Sequence, residues 1–152
     1  MNRVESRRVG LLSRQAALMS LVASAAFLLC SCGGGDGDNG SGAVTIELSG
    51  EEAVAMINAG NVWILDVRTI EEFGTGHVRD ATCADYNSSS FTMFVDAMDK
   101  GMTYVVYCGS GMRSSLATGE MEVLGFQHLY NVTGGLPSIR AAPGGAELIV
   151  DW

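Results

Sequence analysis

TYVVYCGSGMRSS, residues 103–115, joins a short apolar run to a helix-forming segment through a loop that contains two glycines. The run TYVVY predicts a buried strand, and Ser114 and Ser115 are predicted to open a helix. The loop CGSGMR therefore lies between the carboxyl end of a strand and the N-terminus of a helix. Backbone N–H groups converge in such a turn, and the helix dipole adds positive potential. The loop is thus predicted to hold an anion.

Cys108 is the first residue of this loop and its candidate nucleophile. Gly109 and Gly111 lower the steric cost of the turn, and Arg113 adds a fixed positive charge near the sulfur. The converging N–H groups and this charge favour the thiolate, so we expect a lowered pKa at Cys108. A cysteine that ends a buried strand is also a common inert core residue, and the Cys-x4-Arg spacing alone does not separate these interpretations.

Strand-like and helix-like segments alternate on both sides of this loop, which predicts an α/β fold with a parallel sheet. Ser49 is a candidate N-cap followed by two acidic residues, and Gly60 stands where that helix would end. A further helix is predicted over 91–101. Its apolar face is formed by Phe91, Phe94, Val95 and Met98. The other predicted elements are strands at 44–48, 61–67 and 128–132 and helices at 51–60 and 114–126.

Four motifs occur in a fixed order between the first predicted strand and the C-terminus. They are LDVR (65–68), EEFGTGHV (71–78), CGSGMRS (108–114) and GFQHLYNVTGG (125–135). In this order and spacing they resemble the rhodanese (sulfurtransferase) family. The resemblance implies a rhodanese-like three-layer α/β fold for residues 43–152, with a five-stranded parallel sheet flanked by helices.

The same resemblance implies site residues. Cys108 would carry sulfur as a persulfide, and Arg113 would be the second catalytic residue, which closes the loop. The candidate substrate-binding residues are Gly109, Ser110, Gly111, Met112, Arg68 and Asp66. Asp66 and Arg68 are interpreted as supports beside the loop, because a carboxylate can anchor an arginine. Related cysteine phosphatases and arsenate reductases have one more residue between Cys and Arg, so this loop length favours sulfur over phosphate. No cofactor and no metal is implied.

The leading hypothesis is a sulfurtransferase that moves sulfane sulfur from thiosulfate or another donor through Cys108 to a thiol, cyanide or protein acceptor. The alternative is a non-catalytic rhodanese-like module for binding or redox sensing on the cell envelope. A phosphatase is the third hypothesis. Cys83 could resolve the persulfide or pair with Cys108, but a small core residue is the favoured interpretation. His77 is interpreted as structural.

The N-terminal segment has the composition of an export signal. Residues 1–31 combine a basic stretch with an apolar run that is too short to cross a bilayer as a helix, which predicts a signal peptide. The sequence LCSC, residues 29–32, resembles a bacterial lipobox with Cys32 as the lipidated residue; an ordinary cleaved signal is the alternative. Residues 32–42 would then form the lipidated cysteine and a glycine-rich tether. We expect a protein anchored on the periplasmic side of the envelope, in the outer membrane where one exists.

The chain has a net charge of −8, and removal of the signal peptide leaves five basic against sixteen acidic residues. This balance disfavours binding to nucleic acid or anionic lipid surfaces, so the lipid is the only expected membrane contact. We expect a monomer. Ser110 and Met112 make the loop mouth nearly neutral, so thiosulfate gains little long-range attraction. A thiol-bound or protein-bound sulfur donor is therefore the more plausible donor.

Overall fold

The protein is described from a computed structural model, and the described residues are 44–151. The predicted signal peptide at 1–31, the lipidation site Cys32 and the tether up to residue 42 lie outside the described residues. Residues 43 and 152, the two ends of the predicted domain, also lie outside them. Within residues 44–151 no helix combines the length and the hydropathy that a bilayer span requires.

Five parallel strands form the central sheet, in the order β1-β6-β5-β2-β4. They are β1 Ile46–Leu48, β2 Trp63–Asp66, β4 Thr82–Cys83, β5 Thr103–Tyr107 and β6 His128–Val132. Two further strands, β3 His77–Val78 and β7 Ile149–Val150, pair antiparallel in a small separate sheet. The strand β5, of which the last four residues are buried, lies at the centre, where both faces are covered. The predicted five-stranded parallel sheet is confirmed.

Within residues 44–151, five α-helices connect the strands. They are α1 Gly50–Ala59, α2 Ile70–Gly74, α3 Phe91–Asp96, α4 Met112–Val123 and α5 Gly135–Ala141, and a 3-10 helix covers Ala146–Leu148. Successive residues of β5 point to opposite faces of the sheet. Val106 and Cys108 pack with α3 and α4 on one face, named here the α4 face. Val105 and Tyr107 pack with α1 and α5 on the other, named the α1 face, which completes the predicted three layers.

The first two helices begin with capping boxes, of which only the N-cap Ser49 of α1 was predicted. The Ser49 hydroxyl accepts the N–H of Glu52, and the Glu52 carboxylate accepts the N–H of Ser49. Thr69 and Glu72 form the same reciprocal pair at the start of α2. These caps satisfy backbone donors that have no partner inside the helix.

The helix predicted over 91–101 is shorter than expected, since α3 ends at Asp96. Beyond it, the Asp99 carboxylate accepts the N–H of Gly101, and such a local side-chain bond competes with helical pairing. Phe91 and Val95 are buried as predicted and Met98 is half-buried, but Phe94 is 43% exposed. The inclusion of Phe94 in the buried face was therefore wrong, because the short helix buries only one narrow stripe.

Candidate active site

Cys108 lies one residue beyond the end of β5, at the carboxyl edge of the sheet. The chain then turns through Gly111, which has a φ of 94° and acts as the N-cap of α4. The helix begins at Met112, two residues before the predicted start, because the left-handed glycine already turns the backbone into the helix. The N–H groups of the first helical turn therefore lie close to the sulfur, as the anion-cradle hypothesis requires.

The sulfur of Cys108 is buried and surrounded by hydrogen-bond donors. The Gly111 N–H donates to Sγ at 3.1 Å, and the Ser114 hydroxyl lies 3.6 Å from it. Burial by itself raises the pKa of Cys108, but the backbone N–H groups of Ser110, Ser114 and Gly111 and the Ser114 hydroxyl outweigh it. The pKa of Cys108 therefore lies below that of an ordinary thiol, which increases the share of the reactive thiolate at any given pH.

Arg113 forms an ion pair with Glu72, a residue that the sequence analysis did not assign to the site. Its two terminal nitrogens donate to the two oxygens of Glu72 at 2.6 and 2.7 Å. Hydrogen bonding to Arg113 lowers the pKa of Glu72 to about 2. The bond to Glu72 likewise raises the pKa of Arg113, and the sulfur of Cys108 adds to that rise. Glu72 therefore balances much of the charge of Arg113, and the backbone donors with the Ser114 hydroxyl are the larger cause of the lowered pKa of Cys108.

Asp66 and Arg68 form a buried ion pair at the end of β2, with 2.6 Å between Arg68 Nη2 and Asp66 Oδ2. Arg68 also donates to the carbonyl of Gly76 at 2.8 Å, and its guanidinium lies 5.9 Å from the centre of the Tyr107 ring. These contacts brace the strand that carries Cys108 and agree with the supporting role. A direct contact of this pair with substrate stays a prediction.

A second turn formed by glycine, at the start of α5, packs against the loop that contains Cys108. The Leu136 N–H donates to the carbonyl of Cys108 at 2.8 Å. A Cβ on Gly135, whose φ is 59°, would lie 2.3 Å from that carbonyl oxygen and 2.8 Å from the Ser110 nitrogen. Only glycine allows the two backbones to approach this closely, so Gly135 of the last motif helps to hold the Cys108 loop in position. Gly135 and Ser114 both belong to the motifs that resemble the rhodanese family, but their contacts with Cys108 were not predicted.

Cys83 is poorly placed to pair with Cys108. In the sheet Asp66 lies between Cys83 and Tyr107, so Cys83 is two strand spacings, about 10 Å, from the backbone of Tyr107. A disulfide requires Cα atoms within about 7 Å. Cys83 also shares the face of Tyr107, whereas Cys108 points to the α4 face. The structure therefore opposes a direct disulfide, and burial raises the pKa of the Cys83 thiol.

His77 is buried and stacked on the ring of Phe73, with 3.7 Å between ring centroids. Its Nδ1 lies 3.1 Å from the Phe73 carbonyl. These contacts support the structural interpretation. Within residues 44–151 no group of three or more His, Cys, Asp or Glu side chains could hold a metal ion.

Comparisons with known proteins agree with this geometry. A curated relative, the tRNA uridine(34) hydroxylase of Buchnera aphidicola subsp. Acyrthosiphon pisum (strain Tuc7), is 29% identical over 99 residues, which are 61% of this chain but 30% of that protein. The thiosulfate sulfurtransferase GlpE of Shewanella oneidensis is 31% identical over 95 residues, 62% of this chain and 92% of the relative. The chain thus spans less than a third of the hydroxylase and nearly all of GlpE.

Among solved structures, the rhodanese-like domain of the Alr3790 protein from Anabaena sp. superposes with a TM-score of 0.59. It is 18% identical, and the match covers 71% of this chain and 79% of that domain, which supports the fold alone. The family model of the rhodanese-like domain matches residues 49–142, a range that includes both the cradle and the Asp66–Arg68 pair. This chain therefore belongs to the rhodanese-like domain family.

Proposed function

We propose that the protein is a sulfurtransferase in which Cys108 carries sulfane sulfur as a persulfide. The observation that carries this proposal is the buried sulfur of Cys108 with the Gly111 N–H at 3.1 Å and a lowered thiol pKa. A persulfide, like a thiolate, is an anion at neutral pH and gains from the same N–H donors. A buried structural cysteine has no need of such donors.

Each half of the proposed reaction is one displacement at sulfur. The Cys108 thiolate attacks the sulfane sulfur of the donor, a new S–S bond forms, and the donor's own S–S bond breaks. Its electron pair leaves with sulfite or with a thiolate. The acceptor, a thiolate or cyanide, then attacks the outer sulfur of the persulfide, and the electron pair returns to Cys108 as thiolate. No external oxidant or reductant is consumed.

The relatives support sulfur chemistry to different degrees. The Shewanella oneidensis relative is named a thiosulfate sulfurtransferase, and this chain spans 92% of it. The hydroxylases share about a third of their length with this chain, so their whole activity is a weaker guide. The four residues between Cys108 and Arg113 give a smaller cradle than a phosphatase loop, which also favours sulfur.

The proposal is tested on the full chain incubated with thiosulfate or with an inorganic polysulfide, then with cyanide. Thiocyanate formation and a mass gain of one sulfur atom on the Cys108 peptide are expected, and both are lost in Cys108→Ser. Cys83→Ser is the matched control, because it removes a thiol outside the cradle. If neither donor loads sulfur on Cys108 while the fold is intact, the fold serves binding and the sulfurtransferase proposal is wrong.

We also propose that residues 1–31 direct export and that Cys32 carries the lipid, on the strength of the LCSC sequence and the basic and apolar segments before it. Expression in a bacterial host is expected to place the chain in the membrane fraction, and Cys32→Ser is expected to move it to the soluble periplasmic fraction. Retention of the Cys32→Ser chain in the membrane would instead indicate an uncleaved signal segment.

A further inference from the structure

A cavity of about 420 Å³ opens beside the sulfur cradle, on the α4 face of the sheet. Ser110, Gly111 and Met112 belong both to the cavity lining and to the loop, and the Gly111 N–H contacts the Cys108 sulfur, so the cavity lies beside the loop. Its lining residues are Glu47, Ser110, Gly111, Met112, Ser115, Leu116, Asn131, Thr133 and Gly134. Glu47 is the one charged residue in this set, and no lysine or arginine balances it there.

The carboxylate of Glu47 is held in a fixed position by neutral donors. Asn131 Nδ2 donates to both of its oxygens, at 3.0 and 2.8 Å, and Thr133 Oγ1 donates at 2.9 Å. Three neutral hydrogen bonds orient the group without cancelling its charge. In addition, the buried Oδ1 of Asn131 accepts no hydrogen bond within residues 44–151. A carboxylate and an unpaired amide oxygen at one cavity favour a ligand that donates N–H groups and carries positive charge.

The opposite wall of the cavity is apolar. Met112 is 74% exposed and Leu116 is 59% exposed, and both belong to the first turns of α4. Exposed apolar side chains beside a reactive loop can pack against an alkyl chain. The cavity therefore combines an anionic end at Glu47 with an apolar wall that leads to the cradle.

The sheet register sets the distance between the two ends. Glu47 pairs with Asn131, and Asn131 pairs with Val106, so Glu47 and Val106 lie two strand spacings apart on one face. Cys108 follows Val106 by two residues along the strand direction. Together these steps place the Cα atoms of Glu47 and Cys108 about 12 Å apart. Both side chains lie on the α4 face, so a molecule with a short alkyl chain has about the length that separates the two residues.

We propose that this cavity binds a primary aminothiol, with the ammonium group on Glu47 and the thiol sulfur at Cys108. The inference rests on the proposed function and narrows its substrate class. In the transfer step the aminothiolate attacks the outer sulfur of the Cys108 persulfide and forms a new S–S bond. The bond between that sulfur and Sγ breaks, and its electron pair restores the Cys108 thiolate. Anionic thiols, in contrast, meet an uncompensated carboxylate.

The first test does not require sulfur transfer. The full chain is treated with methanethiosulfonates that carry an ammonium, a hydroxyl or a sulfonate group on the same short chain. The Cys108 thiolate attacks the sulfenyl sulfur, methanesulfinate leaves with the electron pair, and the rate is followed on the Cys108 peptide by mass spectrometry. We expect the ammonium-to-hydroxyl rate ratio to fall about three- to ten-fold in Glu47→Gln. Glu147→Gln, which removes the same charge from the 3-10 helix, is expected to leave the ratio unchanged.

A second variant addresses the case in which Glu47→Gln weakens β1. Leu116→Lys adds a cation to the exposed cavity wall while Glu47 stays in place, and it is expected to lower the ammonium rate and raise the sulfonate rate. The second test repeats the comparison with the sulfur-loaded protein, using aminoalkanethiols and hydroxyalkanethiols of matched, graded length as acceptors. For each pair of equal length, the ratio of the aminoalkanethiol rate to the hydroxyalkanethiol rate is compared across the variants. Differences in the intrinsic reactivity of the thiols cancel in this comparison.

The outcomes separate the two proposals. If persulfide forms and passes to thiols but the ratios are equal in all variants, the aminothiol site is wrong and the sulfurtransferase proposal stands. If Glu47 controls the methanethiosulfonate rates but no sulfur passes to any thiol or to cyanide, the cation site stands and sulfur transfer is wrong. A sulfonate rate above the ammonium rate in the unmodified chain would overturn the charge argument itself.

Discussion

Replacing Glu72 with glutamine tests how much the Glu72–Arg113 ion pair stabilises the cradle. Pairing with Arg113 lowers the pKa of Glu72 from 4.5 to about 2. At 1.36 kcal/mol per pKa unit this shift corresponds to ~3 kcal/mol as an upper limit. The Glu72 side chain is 39% exposed and that of Arg113 is 27% exposed, so solvent screening reduces the contribution to about 1 kcal/mol.

The pH dependence has a defined sign. Because the pKa of Glu72 is depressed in the folded state, its stabilising contribution is complete above about pH 4.5 and is lost as the pH falls toward 2. The free energy of unfolding of Glu72→Gln should therefore be about 1 kcal/mol below that of the unmodified chain at neutral pH. As the pH falls toward 2, the difference in the free energy of unfolding that arises from the ionisation of Glu72 should disappear.

Urea unfolding of both proteins, at neutral pH and at steps through the window, measures this difference. Asp96→Asn is the control, because it removes an exposed ion pair in which Lys100 Nζ lies 2.7 Å from Asp96. An exposed pair of this kind should contribute less than about 1 kcal/mol, and it leaves Glu72 unchanged. A difference between Glu72→Gln and the unmodified chain that stays constant as the pH falls would refute the reasoning, since it would not arise from ionisation of Glu72.

Four further substitutions, two at residues that contact the Cys108 loop and two away from it, have defined expected outcomes. Ser114→Ala removes a donor to the Cys108 sulfur and should raise the pKa of that thiol, which appears as an upward shift in the pH profile of Cys108 alkylation. Gly135→Ala should lower the free energy of unfolding by about 2 kcal/mol or more and impair sulfur loading, because its Cβ overlaps the loop backbone. Gly119→Ala, in an open helical position, should instead raise it by about 0.5–1 kcal/mol; both are measured by urea unfolding. Cys83→Ser should leave the transfer rate unchanged, and mild oxidation should yield no disulfide between residues 83 and 108.

The elements that could be predicted carry a local signal. The apolar run before Cys108, the capping residue Ser49 and Gly60 after the first helix act over a few residues, and the structure places β5 and α1 there. The short elements α2, β3 and β4 were not predicted. The start of α4 was predicted two residues late, because Gly111 rather than a serine caps it. A hydroxyl residue is the usual cap signal, and a left-handed glycine leaves no such mark.

The site was predicted only where it is continuous in the chain. Residues 108–113 form one loop, so their proximity needed no tertiary information. Glu72 and Arg113 are 41 residues apart, and Glu47 and Asn131 are 84 residues apart. Their contacts depend on strand order and on the packing of α2 and α4, which local pattern does not determine. The EEFGTGHV motif contributed only to the family resemblance, so the ion pair of Glu72 with Arg113 was missed.

The burial of Cys108 helps to distinguish two roles for this residue, that of a sulfur carrier and that of a redox sensor. A sensor cysteine needs a low thiol pKa and ready access, since oxidants must reach the thiolate from solvent. Cys108 has the lowered pKa but no exposed surface. Persulfide formation adds an atom about 2 Å beyond Sγ, so it requires a donor that displaces the groups covering the sulfur. Such a donor gains binding contacts as it enters, whereas a small oxidant makes few. The cradle therefore favours reaction with a bound sulfur compound over reaction with a free oxidant.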